Sequence, residues 1–179
     1  MRFVAFLRNV NLGQPGSPTR QQLETAFVQA GASAAASVMS NGTLVFSALN
    51  QVQAHEVASR GCEILTQVCG LNEPVYLREF DHLARLVAEN LFAERTDLAH
   101  GERCYSLFRP GAEQGHPAPI ESPHRNCTVF RLGSGEAFSV TRVVNGKPGY
   151  PTPVLEAALG VPATTRAWRT IERLVSRHA

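Results

Sequence analysis

SVMSNGTLVFS, residues 37–47, is the stretch that decides the fold of the first half of the chain. Its centre, Asn41-Gly42, is the dipeptide most typical of a tight β-hairpin turn, and residues that favour strands flank it on both sides. Further out, residues 2–8 and 74–78 also read as strands, and a helical pattern separates each of them from the hairpin. The resulting order, β-α-β-β-α-β, is that of a ferredoxin-like lobe.

The two helices predicted for this lobe have start and stop signals of their own. Ser17 is suited to cap the first helix, Pro18 to its first position and Gly31 to its end. The second helix is predicted over about residues 51–69. Its inward face is expected to carry Ala58, Cys62, Leu65 and Cys69, with both cysteines as buried free thiols.

The second half of the chain has a less regular pattern. Asp81 is suited to cap a helix, and Asp97 is predicted to be a cap or loop residue. Strands are predicted at 103–109 and on both sides of Gly133-Ser134-Gly135, loops at 110–126 and 145–153, and helices at about 152–159 and 165–178.

Composition limits the classes of function that the chain can have. Of 179 residues, 44% are hydrophobic and 18% are charged, and the net charge of +2 is too small to indicate a polyanionic partner. Lys147 is the only lysine among 17 basic residues, a bias that fits a GC-rich genome better than a phosphate-binding surface. The four cysteines form no CxxC pair or disulfide framework, and the apolar run at the N-terminus is too short to be a signal peptide or a membrane span. We therefore expect a cytoplasmic protein.

The loop LRNVNLG, residues 7–13, is the strongest candidate for a binding site. Arg8, Asn9 and Asn11 directly follow the first strand, and clefts at strand ends often hold ligands. Arg8 would supply charge for a phosphate or carboxylate, Asn11 would supply orienting hydrogen bonds, and Gly13 would allow close approach of the backbone. The alternative is that the asparagines brace the loop and Arg8 forms a surface ion pair.

Other polar residues are expected to extend this site. The hairpin tip, with Asn41 and Thr43, is predicted to lie near the opening loop. Lys147, or the pair Arg166 and Arg169, would contribute from the second half of the chain.

The C-terminal stretch also has an arginine pattern that two interpretations fit. If it is helical throughout, four arginines share one face, and Trp168 lies on another face with Ile171 and Val175. An arginine stripe beside an aromatic residue suits contact with nucleic-acid phosphates. The favoured interpretation is a helix docked by its apolar face, with solvated arginines. The arginines are Arg166, Arg169, Arg173 and Arg177.

Catalytic and metal-binding patterns are weak. A metal site drawn from Cys104, His116, His124 and Cys127 is disfavoured, because only the last two have a familiar ligand spacing. The chain has no nucleophile elbow and no Walker loop. We therefore assign no catalytic residue, no metal and no cofactor, and the question of enzymatic activity stays open.

Four stretches of the chain resemble the domain of unknown function family 1697, a bacterial group of proteins of about this length. Family members carry ALLRGINVGG, SGNVVF and LGVPATTRNWRTVTKL at the first, second and last of these stretches. The resemblance implies an α+β fold of two ferredoxin-like lobes, 1–78 and 79–179, the second irregular and with an added C-terminal helix. It implies no mechanism. The stretches are VAFLRNVNLG (4–13), NGTLVF (41–46), REFDHLARLVAENLF (78–92) and LGVPATTRAWRTIERL (159–174).

The chain departs from the family pattern at several polar positions. Asn9 and Ala167 replace a glycine and an asparagine, and residues 148–152 stand where the family has SKLTN. The family's helix after Phe108 is expected to be replaced by the loop 110–126. The retained positions are Arg8, Asn11, Gly13, Thr165, Arg166, Trp168 and Arg169.

Taken together, the sequence predicts a non-catalytic protein that binds an anionic ligand, a nucleotide or nucleic acid, at the opening loop. One alternative is an enzyme that acts on a small phosphorylated or carboxylated metabolite between the lobes. Another is a structural or self-associating module that uses an exposed sheet edge. No membrane partner is expected, and the oligomeric state stays open.

Overall fold

The computed structural model describes residues 1–93 and 101–178. The chain divides into two compact units, Met1–Arg85 and Leu86–Ala179. Asp97, predicted to be a cap or loop residue, lies outside the described residues. Within those residues, no helix combines the length and the apolar character needed to cross a membrane.

The first unit has the predicted ferredoxin-like order. Its four strands form one antiparallel sheet in the order β2-β3-β1-β4, and α1 and α2 are the two crossover helices. The elements are β1 (Arg2–Leu7), α1 (Arg20–Gln29), β2 (Ala34–Ser37), β3 (Thr43–Ser47), α2 (Gln51–Cys69) and β4 (Val75–Glu79), followed by α3 (Phe80–Glu89).

The core of this unit lies between the sheet and the two helices. The Phe46 ring is 5.3 Å from that of Phe27 and 5.9 Å from that of Phe3, measured between centroids. Gly61 brings α2 close to α1, because a Cβ at this position would lie 3.1 Å from the Phe27 ring. Cys62 and Cys69, predicted to be buried, are only half-buried.

Two local signals in this unit were misread. The cap of α1 is Thr19, which forms a capping box with Gln22, and the predicted cap Ser17 instead accepts a hydrogen bond from the Asn11 backbone N–H. Asp81 lies inside the first turn of α3, which begins one residue earlier, so it is not the cap.

The predicted two-residue turn at Asn41-Gly42 is also wrong. The hydrogen bond nearest the turn joins Val38 N–H to the Thr43 carbonyl at 2.9 Å. The loop between these two residues therefore has four residues, 39–42. Only Gly42 has a positive φ, +71°, whereas a tight type I′ turn needs two such residues.

The outer edge of β2 is partly covered by side chains of α1. Ser37 N–H donates to Glu24 Oε1 at 2.8 Å, and the Ser37 carbonyl accepts from Arg20 Nη1 at 2.6 Å. Arg20 and Glu24 are one helical turn apart, with 3.8 Å between their charged atoms. Self-association through this end of β2 therefore requires both side chains to move.

The second unit has a five-stranded antiparallel sheet in the order β11-β5-β8-β7-β6. Strands β11, β5, β8 and β7 repeat the ferredoxin-like order that the family resemblance implied. The helix that the family has after Phe108 is absent between Phe108 and Ile120, as expected from the proline-rich sequence. The elements are β5 (Glu102–Phe108), β6 (Ile120–Glu121), β7 (Cys127–Gly133), β8 (Glu136–Thr141), β9 (Val143–Val144), β10 (Lys147–Pro148), α4 (Pro151–Leu159), β11 (Ala163–Ala167) and α5 (Trp168–His178).

Three predictions for this unit need correction. The loop predicted at 110–126 contains β6. The loop predicted at 145–153 begins with a hairpin, β9–β10, whose turn residues Asn145 and Gly146 have φ values of +50° and +73°. The helix predicted from residue 165 begins three residues later, because residues 165–167 belong to β11 and pair with β5.

Candidate functional site

The opening loop leaves β1 with a sharp change of direction. Arg8 continues the sheet with one hydrogen bond, from its N–H to the Pro74 carbonyl at 3.1 Å. Asn9 then has a left-handed backbone, with a φ of +54°. Asparagine tolerates this conformation better than most residues, so Asn9 can replace the glycine that the family has at this position.

Arg8 and Asn9 together hold the carboxylate of Glu73. Arg8 Nη1 donates to Glu73 Oε2 at 2.7 Å, and Asn9 Nδ2 donates to Glu73 Oε1 at 2.7 Å. The side chains of Arg8 and Glu73 are 21% and 25% exposed, so water reaches both. We call these three residues the Glu73 clamp. Each oxygen of an anion receives one donor there, and one of the donors is charged.

The hairpin tip lies against the opening loop, as expected. Leu12 N–H donates to the Ser40 carbonyl at 2.7 Å, and Leu7 N–H donates to the Gly42 carbonyl at 2.9 Å. A Cβ on Gly42 would lie 2.7 Å from Val10 Cβ, so only glycine fits between hairpin and loop. The tip thus fixes the position of the loop that carries the clamp.

The remaining predicted residues of this loop differ in exposure. Asn11 and Gly13 are exposed, and the Gly13 N–H donates to the Pro18 carbonyl at 3.0 Å. A Cβ on Gly13 would meet no atom within 4 Å, so its left-handed φ of +82° is what requires glycine. Thr43 is fully buried and donates its hydroxyl to Asn41 Oδ1 at 2.8 Å, so Thr43 supports the tip from inside.

A groove of about 430 Å³ adjoins the clamp. It runs between α2 and the segment 71–77 and includes Glu73 in its lining. His55, Ser59 and Glu63 contribute polar side chains from α2, and Asn72 contributes one from the facing segment. We call it the α2 groove. Its volume is within the range of small-molecule sites.

The predicted residues of the second unit are not one cluster. Lys147 is exposed on β10, and Arg169 is 71% exposed and lies 3.7 Å from Glu102. Arg166, predicted on a helix face, lies on β11 and is 6% exposed. Its Nη1 donates to Thr164 Oγ1 at 2.7 Å, and burial lowers the pKa of Arg166 to about 10.

Trp168 is a core residue at the start of α5. It is 1% exposed, and its ring centroid lies 5.3 Å from that of Phe92 and 6.1 Å from those of Tyr105 and Phe138. The arginine stripe therefore does not lie beside an exposed aromatic ring.

The cysteines considered as metal ligands are buried. Burial raises the pKa of Cys104 to about 12 and that of Cys127 to about 11, so both remain protonated thiols near neutral pH. Within residues 1–93 and 101–178, no group of three or more His, Cys, Asp and Glu side chains is placed to hold a metal ion.

Two features of the structure were missed in the sequence. Glu73, the partner of the clamp, lies 65 residues from Arg8, and no local pattern singles it out. A chain of hydroxyl groups also links β5, β11 and α4: Thr165 Oγ1 lies 2.8 Å from both Ser106 Oγ and Thr152 Oγ1. These pairs are again distant in sequence, so neither feature has a local signature.

Comparisons with known proteins bear on the fold. The family model described as "Protein of unknown function (DUF1697)" matches residues 1–138, which include the Glu73 clamp but not the stretch 159–174. The solved structure of the conserved bacterial protein SP0830 from Streptococcus pneumoniae is similar, with a TM-score of 0.61 over 98% of this chain and 97% of that chain. At 16% sequence identity this similarity shows a shared fold. No curated protein matches the chain.

Proposed function

Because the chain belongs to the DUF1697 family of proteins of unknown function, we propose its function from the opening loop itself: the loop binds an anionic ligand, a nucleotide or a nucleic-acid fragment. The observation that carries this proposal is the Glu73 carboxylate, held at 2.7 Å by Arg8 on one oxygen and by Asn9 on the other. Glu73 occupies the position that the ligand's anionic group takes.

A phosphate group suits this exchange better than a second carboxylate. A phosphate carries more charge and more acceptor oxygens than the side chain that it replaces, and arginine binds it in a fork. The Glu73 side chain is already 25% exposed, so its carboxylate can rotate towards the solvent with little change in its hydration. The exchange therefore favours phosphate over Glu73.

The surroundings of the clamp support a ligand of limited size. Asn11 is exposed on the same loop and offers its side-chain amide to a bound molecule, whereas the Gly13 N–H is already bonded to the Pro18 carbonyl. The α2 groove, of about 430 Å³, includes Glu73 in its lining and can hold the sugar or base of a mononucleotide. Asn41 accepts a hydrogen bond from the Thr43 hydroxyl and so stabilises the hairpin tip that packs against the opening loop.

Thermal unfolding against a ligand panel tests the proposal. The panel contains nucleotides, short RNA and DNA and phosphorylated metabolites, at low and moderate salt, with wild type and Arg8→Ala. A ligand that binds the loop raises the midpoint of wild type and leaves that of Arg8→Ala unchanged. A steep loss with salt indicates a nucleic acid with several phosphate contacts, and a shallow loss indicates a mononucleotide.

The matched control is Arg60→Ala, which removes an exposed arginine of α2 outside the lining of the α2 groove and should retain the ligand-induced shift. If no ligand shifts wild type, and Arg8→Ala only lowers the midpoint, the clamp is a structural brace and the proposal is wrong.

A further inference from the structure

We propose a second binding site, in the second unit: a groove beside β6 that takes up an extended peptide segment with acidic side chains. The groove has a volume of about 520 Å³ and lies between β6 and α4. Its walls are mainly apolar, with Ile120 and Pro123 on one side and Tyr150, Val154, Ala157 and Ala158 on the other. We call it the β6 groove.

The strand beside this groove has one edge that no other described strand pairs with. Within residues 1–93 and 101–178, β6 is the outermost strand of its sheet and pairs with β7 alone. Ser122 N–H donates to the Cys127 carbonyl at 2.9 Å, so Ser122 and Ile120 direct their backbone groups towards β7. By the alternation of an antiparallel pair, the N–H and C=O of Glu121 point to the open side. An extended peptide can bond to this pair of groups and extend the sheet.

The groove offers apolar contacts to the side chains of such a peptide. Alternate residues of a strand point to the same side, so every second side chain of an added strand faces α4. Ala157 is exposed, Val154 and Ala158 are half-buried, and Tyr150 is 62% exposed at the rim. A tyrosine this exposed is a common anchor for a binding partner.

The charges at one end of the groove select an acidic partner. The turn after β6 and the β9–β10 hairpin are joined there, because Arg142 Nε donates to the Arg125 carbonyl at 2.7 Å and Asn126 Nδ2 donates to the Lys147 carbonyl at 3.4 Å. The Arg142 side chain is thus held at this end, and the exposed residues Arg125 and Lys147 are sequence neighbours of lining residues, whereas β6 contributes one carboxylate, Glu121, which accepts from a threonine hydroxyl on β7. The net positive charge favours carboxylates on the peptide.

Fluorescence anisotropy with labelled peptides tests this site. The probe is a seven-residue peptide that alternates valine with glutamate. Its controls are the valine–lysine peptide and a valine–glutamate peptide methylated on alternate backbone nitrogens. We expect saturable binding of the first peptide only, because the lysine peptide has the wrong charge and the methylated peptide cannot extend the sheet.

Variants of one exposed position separate charge from shape. Ala157→Glu and Ala157→Lys place side chains of similar length in the same wall, so both should fold, which circular dichroism checks. Ala157→Glu should abolish binding of the valine–glutamate peptide, and Ala157→Lys should retain it. Lys147→Gln should weaken binding by roughly twofold to fivefold, as expected for one rim charge.

Several results would overturn the proposal. Equal binding of the acidic and basic peptides would remove the charge argument, and equal binding of the methylated peptide would remove the strand argument. A concentration-dependent dimer in sedimentation that Ala157→Glu dissociates, with no peptide binding, would assign the groove to a second copy of the chain. Absence of binding by every peptide to well-folded wild type would also refute it.

Discussion

Replacing Gly42 by alanine is the sharpest test of how the hairpin tip holds the opening loop. The new Cβ would lie 2.7 Å from Val10 Cβ and 3.1 Å from the Leu7 carbonyl oxygen. The residue would also have to adopt a φ of +71°. Two penalties therefore act at the same position, one from the backbone and one from packing.

Gly13→Ala is the matched control, because it has the first penalty without the second. Its φ is +82°, and its Cβ would meet no atom within 4 Å. A left-handed alanine costs about 1–2 kcal/mol, and the lost flexibility of the unfolded chain returns about 0.4–1 kcal/mol. Gly13→Ala should thus cost about 1 kcal/mol. Overpacking adds about 1–3 kcal/mol, so Gly42→Ala should cost about 2–4 kcal/mol.

Urea unfolding followed by circular dichroism at 222 nm measures both values. The reasoning predicts that the free energy of unfolding falls clearly further for Gly42→Ala than for Gly13→Ala. Equal losses would mean that the tip and the loop are not in close contact, and the account of the loop's position would be wrong.

Three further results are expected. Trp168→Ala should lower the free energy of unfolding by about 3–5 kcal/mol in urea titration, since its ring is buried among other aromatic rings, and a loss below about 1 kcal/mol would contradict a core role. Above pH 9.0, the Cys104 thiol ionises in the unfolded chain but stays protonated in the folded chain, where its pKa is raised to about 12. The free energy of unfolding should therefore fall as pH rises. Cys104→Ala should make this fall less steep in unfolding curves at pH 8 to 11. Arg20→Ala combined with Glu24→Ala removes both hydrogen bonds to Ser37 at the edge of β2, so sedimentation velocity should detect self-association, and a strictly monomeric variant would show that other features protect the edge.

The fold of the first unit could be predicted because its signals are local. Alternation marks β1, β3 and β4, and the helical repeat and Gly70 mark α2, whose C-cap is left-handed at that glycine. The turn at residues 39–42 was misjudged because Gly42 is placed by its contact with Val10, not by a tight turn. Contacts between distant residues cannot be deduced from local spacing.

The errors of the second unit have the same origin. Thr164 and Thr165 are β-branched and favour a strand, but the spacing of Arg166 and Arg169 also fits a helix. Pairing of Thr165 with Ser106 decides in favour of the strand, and these residues lie 59 positions apart. The hairpin at Asn145-Gly146 had a local signal, which the neighbouring prolines outweighed.

The candidate site was predicted in part. Arg8 and Asn9 stood out because a plain turn after a strand needs one glycine or asparagine, not a cluster of polar side chains. Their partner Glu73 did not stand out, because it lies on another segment and among ordinary neighbours. The structure therefore changes the hypothesis from an open anion site to one that its own carboxylate occupies.

The most direct test of the central claim is a calorimetric titration of ATP into wild type, Glu73→Gln and Glu56→Gln. If the ligand phosphate replaces the Glu73 carboxylate, Glu73→Gln should bind ATP roughly fivefold more tightly than wild type. This factor corresponds to about 1 kcal/mol, the contribution of a partly exposed ion pair that the ligand no longer has to break. Glu56→Gln removes the same charge from an exposed position of α2 outside the lining of the α2 groove and should leave the affinity nearly unchanged. Equal gains in both variants, or no binding in any of them, would contradict the claim that the Glu73 clamp is a phosphate site.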